Sequence, residues 1–380
     1  MIKVQHIYCL MVLFLFLFVK GFSQNDTVLS EEKPIYSQGP PKSYYSNSLQ
    51  VTFHQGAILP HRAQVMEVIE KSTQAIEISY NKTTFGKKTW QQLYSYPKVG
   101  ISALVIGLGN PEKLGNGYGI FPFIELPLNH GKVSLKFKNG YGLGYIQKPF
   151  DRELNPKNIA IGSHINALIY ANMMMGVNIT KQLNANLGLS LIHFSNGSSS
   201  RPNLGINILS ANFGAAYRFG VKEPRLISKL DKRDRIWRKQ MMVGIGLKEI
   251  PPAGGPKYWV TSYSFNMMKV NAEKSAFGFG ADIFYNTSLS DLMARDSSAT
   301  SNSFDNVRLG VLAMYSIEFA KISASIGLGA YVFSNYKGNG SVYNKLDLRY
   351  AVNEKIFLRL GMKTHIAVAD FVEIGVGYNF

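Results

Sequence analysis

The chain contains a single cysteine, Cys9, and it lies near the start of an apolar run rather than after it. A lipoprotein cleavage site is therefore not expected, and the mature chain has no thiol. That excludes disulfides, thiolate metal sites and a cysteine nucleophile. Long hydrophobic runs are scarce too. The run from Ile7 to Val19 is too short to span a bilayer as a helix, and nowhere else do about 18 apolar residues follow one another. There is no G-x-S-x-G elbow, no H-E-x-x-H pair, no phosphate loop and no acidic calcium loop. No histidine cluster has metal-ligand spacing, so neither a metal nor a cofactor is expected. Acidic residues are few: 24 face 41 lysines and arginines, for a net charge of +17.

What is present begins with a secretion signal. Lys3 supplies the positive end, Ile7 to Val19 the apolar stretch, and Gly21-Phe22-Ser23 a small-residue cleavage site, giving a signal peptide over 1–23. Secretion makes nucleic acid an improbable partner for the basic charge. Lipopolysaccharide phosphates and anionic lipid headgroups suit it better. The overall 46% hydrophobic content is that of an ordinary soluble protein. A β-barrel is the membrane class that such an average conceals, because lipid-facing and lumen-facing residues alternate.

Residues 24–48 are polar and aperiodic, and read as a periplasmic extension. Sixteen alternating segments of strand length follow: 51–59, 75–82, 98–108, 118–128, 132–146, 162–178, 182–195, 207–220, 239–249, 257–270, 273–287, 305–318, 321–334, 343–352, 355–365 and 370–380. In the last of them Val372, Ile374, Val376, Tyr378 and Phe380 share one face, and Glu373, Gly375, Gly377 and Asn379 the other. A C-terminal strand ending on an aromatic residue resembles the one that outer-membrane barrels present to the barrel assembly machinery. Segments near 98, 118, 132, 162, 182 and 207 recur near 239, 257, 273, 305, 321 and 343, a repeat of about 140 residues. Between the copies, Lys222 to Lys239 holds eight basic and three acidic residues.

The expected organisation is thus a first barrel segment over 49–220, a basic linker or loop over 221–238, and a second segment over 239–380. The fold class is all-β, a transmembrane antiparallel barrel located in the outer membrane. A single wide barrel of about 14–16 strands is the preferred architecture, with two tandem eight-stranded barrels as the alternative.

The chemistry concentrates at His193-Phe194-Ser195-Asn196-Gly197, at the end of the seventh segment. Leu183, Ala185, Leu187, Leu189 and Leu191 share a face that His193 and Ser195 continue, so both should point to lipid near the extracellular end. Asn207 has the matching parity on the next segment and can stand beside His193. A serine nucleophile needs a neighbouring imidazole to take its proton, and the imidazole needs its other nitrogen held. A histidine facing outward at membrane depth costs on the order of 1–3 kcal/mol, which argues against a purely structural role. Asn196 and Gly197 are candidates for the oxyanion and binding contacts. His54, His61, His130 and His164 lie at strand ends or loops without a matching serine, and His365 has Ala367 where one is required. Aligned through the repeat, Val332 and Ser334 replace His193 and Ser195, while Tyr343 falls near the place of Asn207. The second copy is therefore expected to be catalytically silent.

At His193, Ser195 and Asn196, followed by a strand ending Tyr217-Arg218-Phe219, the chain resembles the lipid A 3-O-deacylase (PagL) family, also described as acyloxyacyl hydrolases. The resemblance covers about 49–220. It implies an eight-stranded outer-membrane barrel and a serine esterase that hydrolyses an acyl ester of lipid A through a serine–histidine–glutamate triad. The position of the family's acid, fourteen residues after the histidine, is here Asn207. A serine–histidine–asparagine set is similar to that of outer-membrane phospholipase A, so a phospholipid is the alternative substrate. A non-enzymatic barrel or channel is the alternative of a different class.

Overall fold

The computed structural model describes residues 43–380 apart from 130, 228–234, 273, 297–302, 337 and 367. The expected signal peptide, the extension up to residue 42, His130 and Ala367 lie outside the described residues. Sixteen strands form, one for each alternating segment of the sequence. In β2 (Thr73–Thr83) every second residue is buried and those between are exposed. Such a period of two suits a wall with a packed interior on one side and lipid on the other. No helix among the described residues is long and apolar enough to cross a membrane.

The wall closes twice. β1 (Ser43–Ile58), β2, β3 (Lys98–Gly107), β4 (Asn116–Pro127), β5 (Val133–Ile146), β6 (Ile165–Asn178), β7 (Leu183–Ser195) and β8 (Ile206–Pro224) pair in chain order, and β8 returns to β1. β9 (Trp237–Glu249), β10 (Lys257–Ala272), β11 (Ser275–Asn286), β12 (Val307–Phe319), β13 (Ile322–Ser334), β14 (Val342–Ala351), β15 (Ile356–His365) and β16 (Val368–Asn379) make the second barrel, closed by β16 on β9. The preferred single wide barrel is thereby corrected to two tandem eight-stranded barrels. Closure rests on distant pairings such as Val51 with Ala215 and Ile245 with Ile374, which local alternation does not encode.

Two boundaries move with closure. β1 begins at Ser43, because Ser43–Tyr45 pair with Lys222–Pro224 beyond a register shift, so residues 43–48 belong to the wall. Strand also enters the expected linker at both ends, through Pro224 and from Trp237. The described residues divide into two compact units, one carrying each barrel, and residues 197–201 after β7 fall in the unit of the second.

Strand order also changes what is equivalent to what. The sequence repeat aligns β3 with β9, whereas barrel order aligns β1 with β9. The counterpart of β7 is then β15, not β13.

An eight-stranded barrel has a bore just wide enough for side chains. In the first barrel a polar layer surrounds Glu77, whose carboxylate takes Lys138, the Tyr170 hydroxyl at 2.7 Å and His54 Nε2 at 3.2 Å. An apolar layer lies toward the long loops. Leu104, Ile106, Phe121, Leu168, Ile192, Phe194, Ile206 and Ile208 line it from the wall, and Val65, Val68, Leu114 and Ile161 fill it from the loops. The second bore is dominated by ion pairs instead: Arg359 binds Asp347 at 2.7 Å and also Glu373, and Lys345 binds Asp282 at 2.8 Å.

Candidate active site

β7 is held by its inner face. Ile192 and Phe194 are fully buried in the apolar layer. The pleat therefore turns His193 and Ser195 to the outer face, where Leu187, Leu189 and Leu191 are exposed. Slipping by one residue would place an imidazole and a hydroxyl in the core and expel Ile192 and Phe194, so the register is strongly specified.

The neighbouring strands set the depth. On β6, His193 pairs with Ile169 and Ser195 with Ala167. Two residues further, Ile165 pairs with Tyr145 of β5. Tyr145 faces outward and packs against Tyr118 with ring centroids 6.2 Å apart. Outward tyrosines mark the boundary between hydrocarbon and headgroups. Ser195 thus lies about 7 Å along the strand direction from that girdle.

β8 supplies the third group. Asn207 stands opposite His193 in the β7–β8 register, and its Oδ1 lies 2.6 Å from His193 Nδ1. A carboxamide oxygen only accepts, so Nδ1 carries the proton and Nε2 is left as the base. Ser195 comes two residues later on the same face and is 7% exposed. The arrangement thus holds an imidazole with a free Nε2 on the same face as a sheltered serine two residues away.

Known proteins bear on what this geometry belongs to. Residues 74–216 match the family model for lipid A 3-O-deacylase (PagL), and residues 237–380 match that for the C-terminal domain of acyloxyacyl hydrolase. The chain belongs to the lipid A 3-O-deacylase (PagL) family. Among solved structures, the crystal structure of the outer membrane enzyme PagL is similar at 17% identity, over 43% of this chain and 97% of that one, with a TM-score of 0.33. A triple mutant of the Rhodopseudomonas blastica porin is similar at 8% identity, over 88% of this chain and 99% of that one, with a TM-score of 0.17. No curated protein matches the chain. The protein is an outer-membrane β-barrel of a family of hydrolases that deacylate lipid A.

Of the residues expected to act in this PagL-family chain, His193 and Asn207 are in contact, and Ser195 stands two residues after His193 on the same strand. Asn196 departs from expectation. Its side-chain amide donates to Ser163 Oγ at 2.9 Å and its backbone N–H to Asn203 Oδ1 at 3.1 Å, so it holds the turn after β7. Gly197 follows in the left-handed region, with φ +61°. Among the described residues no group of three or more His, Cys, Asp or Glu is placed to hold a metal ion.

Two residues were not legible beforehand. Gly205 has φ +82°, and a Cβ built on it would lie 3.0 Å from His193 Cε1. The imidazole rests against this glycine. His61, from the loop after β1, has its Nδ1 3.1 Å from Asn207 Nδ2. Neither belongs to a local motif; both meet the site only through the fold.

Among its described residues the second barrel offers no comparable set. Val332 bulges out of the β12–β13 ladder. Beyond it Ser334 is buried and accepts from Arg308 Nε at 3.0 Å, so it faces the lumen rather than lipid as parity predicts. Tyr343 is buried and donates to Asp282 at 2.8 Å. His365, at the end of the strand equivalent to β7, bonds the Tyr331 hydroxyl at 2.9 Å.

Proposed function

We propose that the protein is a serine esterase that removes an acyl chain from lipid A, with Ser195 as nucleophile, His193 as general base and Asn207 as the group orienting His193. The observation that carries this reading is the 2.6 Å contact between His193 Nδ1 and Asn207 Oδ1, made on the lipid face one residue pair from a serine. In the first step His193 Nε2 takes the Ser195 hydroxyl proton while Oγ attacks the ester carbonyl carbon. The tetrahedral intermediate collapses, the sugar oxygen leaves with the proton from His193, and the acyl group stays on Ser195. Water then gives a proton to His193 and attacks the acyl-serine; as the acyl–Oγ bond breaks, Ser195 Oγ takes that proton back from His193 and the fatty acid is released. Asn207 steadies the imidazolium formed in each half, though less strongly than a carboxylate. Gly197, whose backbone N–H follows the nucleophile by two residues, is assigned to the oxyanion.

Substrate follows from depth and charge. The site lies near the tyrosine girdle on the lipid face of the wall, and the basic chain suits the phosphates of lipid A. The asparagine in the triad favours a second reading, a phospholipase A-like hydrolase. A channel has no comparable support, because the apolar layer and the Glu77 network cross the first bore. Mass spectrometry of lipid A and phospholipids from cells making the wild type, Ser195→Ala or neither separates the readings. Loss of one acyl chain from lipid A in the wild type alone is expected. Lysophospholipid with intact lipid A would establish the second reading, and no lipid change would remove both.

A further inference from the structure

We infer that His61 is a positioning residue that fixes which way round the Asn207 carboxamide sits, and through it the tautomer of His193. The inference rests on the Ser195/His193 reading above. A carboxylate in the position of Asn207 would present an acceptor from either oxygen. A carboxamide has two unlike ends, and only one of them serves. With Oδ1 toward His193, Nδ1 must carry the proton and Nε2 is free to act as base. With the amide reversed, Nδ2 would donate to Nδ1, the proton would move to Nε2, and His193 could no longer accept from serine.

Something must therefore bias the flip, and the contacts around His61 do so. Its Nε2 lies 3.0 Å from the Leu204 carbonyl oxygen, which only accepts. Nε2 accordingly holds the proton and Nδ1 is an acceptor. Nδ1 is 3.1 Å from Asn207 Nδ2, so the amide donates there and Oδ1 is left for His193. The opposite tautomer would gain a longer contact, Nδ1 to the Leu59 carbonyl at 3.3 Å. It would also set Nε2 lone pair against the Leu204 oxygen and N–H against N–H at Asn207. Even with the amide reversed to accept from Nδ1, that tautomer sets a lone pair against the Leu204 oxygen, so the 3.0 Å bond to Leu204 decides for the first. The backbone holds both partners in place, since Leu59 N–H donates to the Asn207 carbonyl at 2.7 Å. The chain Leu204–His61–Asn207–His193 thus transmits one proton arrangement across four residues, and explains how an amide can stand where the family uses an acid.

The test is a cycle between His61 and Asn207 in the full-length protein in detergent micelles, read as fatty acid released from lipid A. His61→Phe should lower kcat about tenfold with KM unchanged, the scale expected when a fraction of the imidazole adopts the wrong tautomer. His61→Gln, which keeps an acceptor, should restore most of that loss. In Asn207→Asp, where no end is wrong, His61→Phe should cost less than about twofold. An equal loss in both backgrounds would make His61 a loop-packing residue and overturn the inference, as would no loss in the wild-type background. Ser195→Ala measured alongside keeps the two proposals apart. If it is inactive while the cycle shows no coupling, only the role of His61 falls; if it is fully active, the serine mechanism falls and takes this role with it.

Discussion

The two barrels share strand number, strand order and closure, yet differ in what fills them and in where their polar residues end up. In the first, charge is gathered around Glu77, with a separate pair between Lys98 and the buried Glu125 at 3.7 Å, and an apolar layer packs beneath the end of β7 that carries Ser195. In the second, buried ion pairs run through the bore, including Asp282 with Lys345, Asp370 with Lys363, and Arg359 between Asp347 and Glu373. The contrast shows how a reactive group comes to face lipid. Ile192 and Phe194 commit β7 to one register because they have an apolar layer to enter, and His193 and Ser195 are turned outward as a consequence. In β13 an extra residue at Val332 breaks the alternation, and Ser334 turns inward to Arg308. A histidine survives on the strand equivalent to β7, but His365 is bonded to Tyr331 and lies 3.8 Å from the buried Asp370. The same residue types become a candidate site in one barrel and interior scaffolding in the other.

The comparison breaks most sharply at Ser195 and His193. Ser195→Ala or His193→Ala should each reduce ester hydrolysis by at least about 10³-fold, while heat-modifiable migration in gels stays that of the folded barrel. Retained activity in either variant would return the first barrel to the status of the second. Asn207→Ala comes next. It removes a hydrogen bond to a group that becomes charged, about 1.5–3 kcal/mol, so kcat should fall roughly 10- to 100-fold. Asn207→Asp should match or exceed the wild type, and a wild-type rate in the alanine variant would take Asn207 out of the site.

Gly205→Ala should act in the same direction but less strongly. A methyl group at φ +82° is strained by about 1–2 kcal/mol, and it would press on the imidazole edge of His193. Activity should drop about tenfold, an estimate for a small displacement of a catalytic group, with only a modest loss of thermal stability. Unchanged kcat would show that the imidazole does not depend on this support.

The wall was legible in the sequence because alternation is local: each of the sixteen segments became a strand, usually within two or three residues. Closure was not, since Val51 with Ala215 and Ile245 with Ile374 are pairings without residue preference. One hint was available in the connection 221–238, too long for a periplasmic turn and natural between two closed barrels. At the site, parity and the hairpin length from Ser195 to Asn207 predicted the pairing of His193 with Asn207 that the fold makes. His61 escaped because it lies 146 residues from Asn207, and Gly205 because its role is the absence of a side chain. Ser334 was misplaced for a related reason: one bulged residue inverts parity, and nothing in Tyr331-Val332-Phe333 announces it.

The smallest expected effect on activity belongs to Ser334→Ala, and it is the most telling about the second barrel. Ser334 Oγ accepts from Arg308 Nε at 3.0 Å and donates to the Tyr336 carbonyl at 2.8 Å. Arg308 keeps contacts with the Tyr331 hydroxyl and the Tyr336 carbonyl, both at 3.3 Å, so the guanidinium is weakened in its bonding rather than abandoned. The substitution should therefore cost about 1.5–3 kcal/mol of stability, the usual range for a hydrogen bond to a charged group, and change activity by less than about twofold. Ser195→Ala should do the reverse, with activity gone and stability nearly intact. Melting curves and lipid A hydrolysis measured on both variants give this crossed pattern directly. A loss of activity in Ser334→Ala comparable to that in Ser195→Ala, without unfolding, would mean that the second barrel takes part in the chemistry. One site per chain would then be wrong.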